Sequence, residues 1–189
     1  MKVADRGVSS IIGVILMIAV VVILAAIVSV AAFGFVSDVN EPAPNVADTT
    51  GEFEAGSDFD QQVVRVTHIA GEEVALKDLE IVVRASGDEM DDTQVRLVNL
   101  PPGDTTFDHD SYEGNDDLAS GFGLTDGVLF DDSSTWTAGE TIKFRIPVGG
   151  ADFRDPPDLD PSNPEADELE ALIIHTPSGA IISEHTFTP

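Results

Sequence analysis

One stretch of the sequence limits what the chain can fold into: Val8 to Ser37 contains no Asp, Glu, Lys, Arg or His. From Ile11 to Val36 it is almost entirely apolar, with Gly13, Ser29 and Gly34 as the exceptions. A helix that is apolar on every side must be surrounded by lipid or by other helices. About 20 residues cross a bilayer core, so a stretch of about 30 uncharged residues exceeds one span. The excess length predicts a helix that is also buried somewhere outside lipid.

The charges that flank this stretch predict its orientation in a membrane. The seven residues before it include Lys2, Asp5 and Arg6, whereas the other side opens with Asp38. Because basic residues stay on the cytoplasmic side, we expect a cytoplasmic N-terminus and residues 38–189 outside. A secretory signal peptide has an apolar core of about 7–15 residues, shorter than this run, so we expect an uncleaved helix.

The junction between the charged leader and the apolar run carries a family resemblance. The residues Asp-Arg-Gly at 5–7 are followed by VSSIIGVILM at 8–17. This arrangement resembles the start of archaeal type IV pilins, of the haloarchaeal kind, and the resemblance covers about the first 37 residues. In that family a prepilin peptidase cuts on the cytoplasmic side, between the small residue and the apolar run. The resemblance therefore implies a cut between Gly7 and Val8, with Arg6 as the charged leader residue that is recognised.

Two positions distinguish the resemblance further. Ser10 stands where the archaeal family often has Pro. Ile12 occupies the fifth position after the implied cut, where bacterial type IV pilins carry a Glu. The resemblance is therefore to the archaeal type and not to the bacterial one.

The excess of acidic residues limits the kinds of molecule that the protein can bind. The chain has 35 acidic and 9 basic residues and a net charge of −26, and it has 3 Lys, at positions 2, 77 and 143. Such a surface repels phosphates, so we expect no nucleic acid partner. An acidic, Lys-poor chain that keeps many Val, Ile and Leu indicates a folded protein adapted to high salt; disorder of the exterior is the alternative. Without Cys, the domain has neither disulfides nor thiolate metal sites.

The remainder of the sequence has the pattern of an antiparallel β domain. Residues 38–58 are rich in Pro, Gly and acids and read as a linker, with a possible short strand at 46–53. Short β-branched runs then recur between turn signals, which predicts a β-sandwich or small barrel over residues 59–189. Thr176 to Gly179 predicts a type I turn between the last two strands. The predicted strands are 62–69, 79–85, 94–100, 141–148, 168–176 and 180–187, with a short edge strand at 127–130.

Two long loops and four histidines are the remaining candidates for chemistry. The loops are 101–138 and 149–164, and a loop of that length is often functional or mobile. His68 and His175 lie in apolar strands and are expected to be core or edge residues. Residues 108–110 and 158–160 resemble the opening of a calcium loop, but the Gly at the sixth position is missing from both. We predict no catalytic residues, no cofactor and no metal site.

These observations predict an α+β chain: a leader at 1–7, a transmembrane and filament-core helix at 8–37, a linker at 38–58, and an extracellular, sandwich-like antiparallel β domain at 59–189. The predicted function is a type IV pilin-like structural subunit of adhesive surface filaments and not an enzyme. Its expected partners are pilin subunits, prepilin peptidase and, before assembly, membrane lipid. Small residues spaced by four would let helices approach closely; the pairs are Ser9 with Gly13 and Ala25 with Ser29.

Two other functions stay open. The main alternative is a single-span, signal-anchored surface protein with an extracellular β domain that binds a ligand through the loop at 101–138. A secreted enzyme has little support, because no nucleophile elbow, zinc-protease motif or phosphate-binding loop is present. The N-terminus of the mature protein distinguishes the pilin from the plain anchor.

Overall fold

The apolar stretch forms a single helix, α1, Asp5–Ser37, in a computed structural model of the chain. The structure describes residues 5–37, 42–56, 62–88, 90–103, 106–124, 126–131, 134–154 and 163–189. The chain divides into two units, residues 1–40 and 41–189. The first contains α1, and the second contains antiparallel sheets, so the predicted α+β class is confirmed.

The strands of the second unit make a three-stranded sheet, a five-stranded sheet and a small two-stranded pair, ordered β1-β2-β8, β10-β9-β4-β5-β6 and β3-β7. Each pairing between these described strands is antiparallel. Their bounds are β1 Val46–Ala55, β2 Gln62–Gly71, β3 Val74–Ala75, β4 Leu79–Gly87, β5 Met90–Leu97, β6 Tyr112–Gly114, β7 Thr135–Trp136, β8 Thr141–Arg145, β9 Glu168–His175 and β10 Ala180–Phe187.

The two larger sheets share one hydrophobic core. The alternating pattern of β2 turns Val64 and Val66 inward, and β8 contributes Ile142 and Phe144 from the same sheet. From the five-stranded sheet, the central strand β4 is buried almost continuously from Leu79 to Val83 because β5 and β9 flank it. Continuous burial of an apolar strand is what a central position in a covered sheet requires.

The stretch between β5 and β8 is packed against this core and is not an open loop. It forms 3₁₀ turns at His109–Ser111 and Asp116–Leu118 together with β6 and β7. The predicted edge strand at 127–130 is wrong: these residues form a turn in which Gly127 has φ 101° and Phe130 N–H donates to the Gly127 carbonyl. Apolar side chains from this stretch enter the core, including Phe107, Leu118, Val128, Leu129 and Trp136.

Two predicted strands end earlier than the sequence indicated. β5 ends at Leu97, before Asn99 with φ 55° and Pro101, whose positions break an extended ladder. β8 ends at Arg145 because Pro147 follows and has no N–H to donate. β1 lies inside the stretch read as a linker. The final hairpin is present as predicted between β9 and β10, and Gly179 adopts φ 69° at its turn.

The first and last strands of the domain meet along one side of the sandwich. Thr49 Oγ1 on β1 lies 2.9 Å from Ser183 Oγ and 3.0 Å from His185 Nε2 on β10. Gly51 is required here, because a Cβ at that position would lie 2.5 Å from the His185 ring. We call this contact the β1–β10 seam; it joins the two sheets through side chains.

A buried amide ties β2 to the segment after β8. Gln62 has no exposed surface, and its Nε2 donates to the carbonyls of Ile146, at 3.0 Å, and Ala151, at 2.8 Å. Its Oε1 accepts from the Phe153 N–H at 2.6 Å. One side chain therefore satisfies three backbone groups that would otherwise be buried without partners.

Candidate functional site

The described apolar side chains of α1 are not buried within the chain. Ile11–Ser29 is long and apolar enough to cross a membrane, and none of these 19 residues is buried within the chain. At 1.5 Å per residue, this segment is about 28 Å long, close to the thickness of a bilayer hydrocarbon core. Apolar side chains lie on all sides of it, so the surroundings of this helix must be supplied by lipid or by other molecules.

The structure places the predicted packing residues along this helix. Ser29 Oγ donates to the Ala25 carbonyl at 2.8 Å, which satisfies the hydroxyl within the helix and puts both residues on one face. At Gly13, a Cβ would meet nothing within 4 Å, so the space beside this residue is open. Ser9 lies one turn before Gly13 in the same helix.

The predicted cleavage position lies in the first turn of α1. The helix begins at Asp5, so Arg6, Gly7 and Val8 are helical, three residues earlier than the predicted start. The first four N–H groups of any helix have no carbonyl partner within it. Gly7 also weakens the turn, since Gly in a helix costs about 0.5–1 kcal/mol relative to Ala. Opening the backbone around the Gly7–Val8 bond therefore breaks few hydrogen bonds.

A cleft of about 680 Å³ lies in the β domain, where the chain first enters it. We call it the Pro42 cleft. His175 is buried in its wall, and its Nδ1 lies 2.9 Å from Ser178 Oγ, which in turn donates to the His175 carbonyl. These bonds favour the tautomer with the proton on Nδ1. The lining residues are Pro42, Ala43, Pro44, Glu72, Glu73, Val74, Ala75, Asp78 and His175, none of them from the 101–138 stretch.

Glu72 forms two hydrogen bonds with Asn45 beside this cleft. Its Oε2 accepts from the Asn45 N–H at 2.8 Å, and its own N–H donates to the Asn45 carbonyl at 3.0 Å. These two bonds fix the last residues before β1 against the end of β2. The sequence predicted neither the cleft nor this clamp, because the partners are 27 residues apart.

The predicted calcium-like segments do not assemble a metal centre in the described part of the chain. Residues 108–110 flank and begin a 3₁₀ turn, and 158–160 lie outside the described residues. Within the described ranges, no three His, Asp or Glu side chains converge to hold a metal ion. Burial raises the pKa of the neighbouring Tyr112 to about 12, with smaller contributions from the charges of Asp116 and Asp108.

Comparison with known families bears on the helix. Residues 6–47 match the family described as archaeal type IV pilin, N-terminal. The N-terminal segment of this chain is therefore similar to that of archaeal type IV pilins. No match was found among curated proteins. The pilin match begins at Arg6 and ends just inside β1, so it covers α1 and the approach to the β domain.

The pilin segment and the apolar helix together indicate a membrane-anchored, surface-exposed protein. The pilin family is a structural family. In this pilin-like chain, residues 48–189 lie outside the match. The family match therefore says nothing about the β domain, and its architecture is described by the sheets given above.

Proposed function

We propose that the chain is a type IV pilin-like structural subunit that is processed by a prepilin peptidase and assembled through α1 into adhesive surface filaments. The observation that carries this proposal is the uniform exposure of Ile11–Ser29. Each Ile, Leu or Val that remains buried contributes about 1.5–3 kcal/mol. Exposing the segment to water would cost more than the roughly 5–15 kcal/mol by which a domain is typically stable. Only a bundle of similar helices replaces lipid on all sides.

The leader supports the processing step. Arg6, Gly7 and Val8 match the charge, the small residue and the apolar start that the family resemblance requires, and the family match begins at Arg6. On this proposal the peptidase cuts between Gly7 and Val8 on the cytoplasmic side, with residues 38–189 outside. Removal of the leader takes away two basic residues and one acidic residue. The processed chain would retain 7 basic and 34 acidic residues, a net charge of −27.

The processing step is tested by the mass of the mature N-terminus. We expect protein recovered from the cell surface to begin at Val8, and sheared surface fractions to contain filaments that disappear when the chain is deleted. A Gly7→Leu variant should accumulate uncut, whereas Ser10→Pro, which restores the residue common in the family, should be cut normally. Surface protein that still begins at Met1 or Lys2 would contradict the proposal.

A second candidate function is favoured by the Pro42 cleft. A single-span surface anchor would keep its leader, form no filaments and use this cleft to bind a ligand. The same measurements separate the two functions, because an anchor remains uncut and stays in the membrane fraction after shearing.

A further inference from the structure

The acids that line the Pro42 cleft have no basic partner among the described residues. Glu72, Glu73 and Asp78 all contribute to its walls, and no described Lys or Arg does. None of the three carboxylates forms an ion pair within the described chain, whereas acids elsewhere in the domain, such as Glu170 and Asp126, do. The cleft therefore carries negative charge that the described part of the chain does not neutralise.

His175 adds an unused hydrogen-bond acceptor to this cleft. The residue is 6% exposed. Ser178 Oγ donates its proton to the His175 carbonyl at 3.3 Å and so accepts from Nδ1 at 2.9 Å, which leaves Nε2 of the neutral ring with a lone pair. In the part of the chain that the structure describes, Nε2 has no hydrogen-bond partner, and it is not sealed off by protein atoms. Because His175 lines the cleft, this lone pair is available to a donor that enters there.

The size of the cleft favours an organic cation over a metal ion. Within the described ranges, no three His, Asp or Glu side chains are close enough together to hold a metal ion. The volume of about 680 Å³ lies within the range of about 300–1,000 Å³ that is typical of sites for small molecules. A ligand with several N–H groups can donate to acceptors on different walls of such a cleft.

The remaining walls are apolar and suit an aliphatic chain. Pro42 and Pro44 contribute their rings, and Val74 and Ala75 line the same space. A primary alkylammonium ion combines a charged head that carries three N–H donors with an apolar stem. Its two parts therefore match the two kinds of wall.

We propose that the Pro42 cleft binds a primary alkylammonium ion. The ammonium group donates to His175 Nε2 and to the carboxylates of Glu73 and Asp78, and the stem lies against the two prolines. A free diamine and the side chain of a lysine in a peptide present this same chemistry. The inference rests on the β domain alone, so it stands or falls separately from the filament function proposed above.

The first test detects the hydrogen bond at His175. Proton–nitrogen correlation spectra of the isotope-labelled, full-length chain in detergent micelles and molar KCl report each histidine nitrogen, and a His175→Gln variant assigns the His175 signals. Butylammonium should shift the His175 Nε2 signal upfield until it saturates, because the lone pair then accepts a proton donor. The signals of His68, His109 and His185 should stay in place.

The second test separates N–H donation from charge. Butyltrimethylammonium has the same charge and stem but no N–H group, so its Kd should be at least about tenfold higher, the scale of one lost charge-assisted hydrogen bond. Putrescine and Nα-acetyl-lysine N-methylamide then present the ammonium group on a free diamine and on a peptide. The tighter of these two ligands identifies the source of the group.

The third test removes the charge of the cleft. A chain that carries both Glu73→Gln and Asp78→Asn should bind butylammonium about tenfold or more weakly. The Asp78 carbonyl, which accepts from the Thr176 N–H, is retained in this variant. Asp91→Asn together with Asp92→Asn is the matched control, because it removes the same charge from exposed positions of β5 that do not line the cleft.

Three results would overturn the proposal. They are a His175 signal that butylammonium does not move, equal affinity for butyltrimethylammonium, and a Glu73→Gln, Asp78→Asn chain that binds like its control. None of these results bears on processing or filament assembly, which the mature N-terminus and the sheared filaments test.

Discussion

His185 is the residue through which pH acts on the β1–β10 seam. Its burial against Thr49 and Gly51 lowers its pKa below the ordinary value of 6.5, so the folded domain favours the neutral ring. The unfolded chain then binds the proton more readily, and stability from this residue is present above about pH 6.5 and is lost as the pH falls below it. We expect the melting temperature of residues 41–189 to drop between pH 7.5 and 5.5, and less so for His185→Gln. His109→Gln, at an exposed position, should retain the wild-type pH dependence.

The buried hydrogen bonds of Gln62 are expected to contribute to the stability of the β domain. Gln62→Leu preserves the approximate size of the side chain but leaves the Ile146 and Ala151 carbonyls and the Phe153 N–H without their partner. We expect the free energy of unfolding to fall by about 2–4 kcal/mol. Gln94→Leu, on the exposed part of β5, should change it by about 0.5 kcal/mol or less. Chemical denaturation of both variants measures the difference, and equal midpoints would contradict this role for Gln62.

At the scale of the element, α1 predicts where assembly fails. Gly13→Leu should spare insertion and processing but impair filament formation, because the open space beside Gly13 is where another helix can approach. Ile18→Asp should impair assembly more severely, since its carboxylate would be buried without a partner. Ile18→Leu is the volume-conserving control. Processed protein in the membrane and filaments sheared from cells are compared for each variant. Normal filament yield from Ile18→Asp would show that α1 is not the buried core.

The same scale shows which elements the sequence can predict. α1 follows from composition alone, and β2, β4, β9 and β10 follow from β-branched runs that bury side chains within a local pattern. β3, β6 and β7 are two or three residues long, and they exist because distant segments pair with them. The Pro42 cleft depends on contacts between segments far apart in sequence, so no local pattern signals it. The leader and the helix-packing residues are defined by neighbours in sequence, and they stay predictions.

At the scale of the whole molecule, unbalanced charge predicts dependence on salt. Several described basic side chains are already paired with acids, as in Arg65 with Glu54, Arg84 with Glu170 and Lys143 with Asp126. The hydrogen bond from Lys143 lowers the pKa of Asp126. The remaining acids repel one another, and at about 1 M salt the Debye length falls to about 3 Å. We expect circular dichroism of residues 41–189 to show strand signal appearing between low and molar KCl. A cooperative fold at low ionic strength would contradict this.

On the proposed orientation, the β1–β10 seam also bears on the order of events during export. β1 is the first strand of the domain and β10 the last, and Thr49 reaches Ser183 across 134 positions of sequence. With the orientation proposed above, β1 would emerge from the membrane before β10, the strand that it contacts. On that orientation, the contact between the two strands forms only after β10 has been translocated. The translocating chain would therefore remain incompletely folded until β10 reaches the outside. The contact of β10 with β1 would then complete the domain.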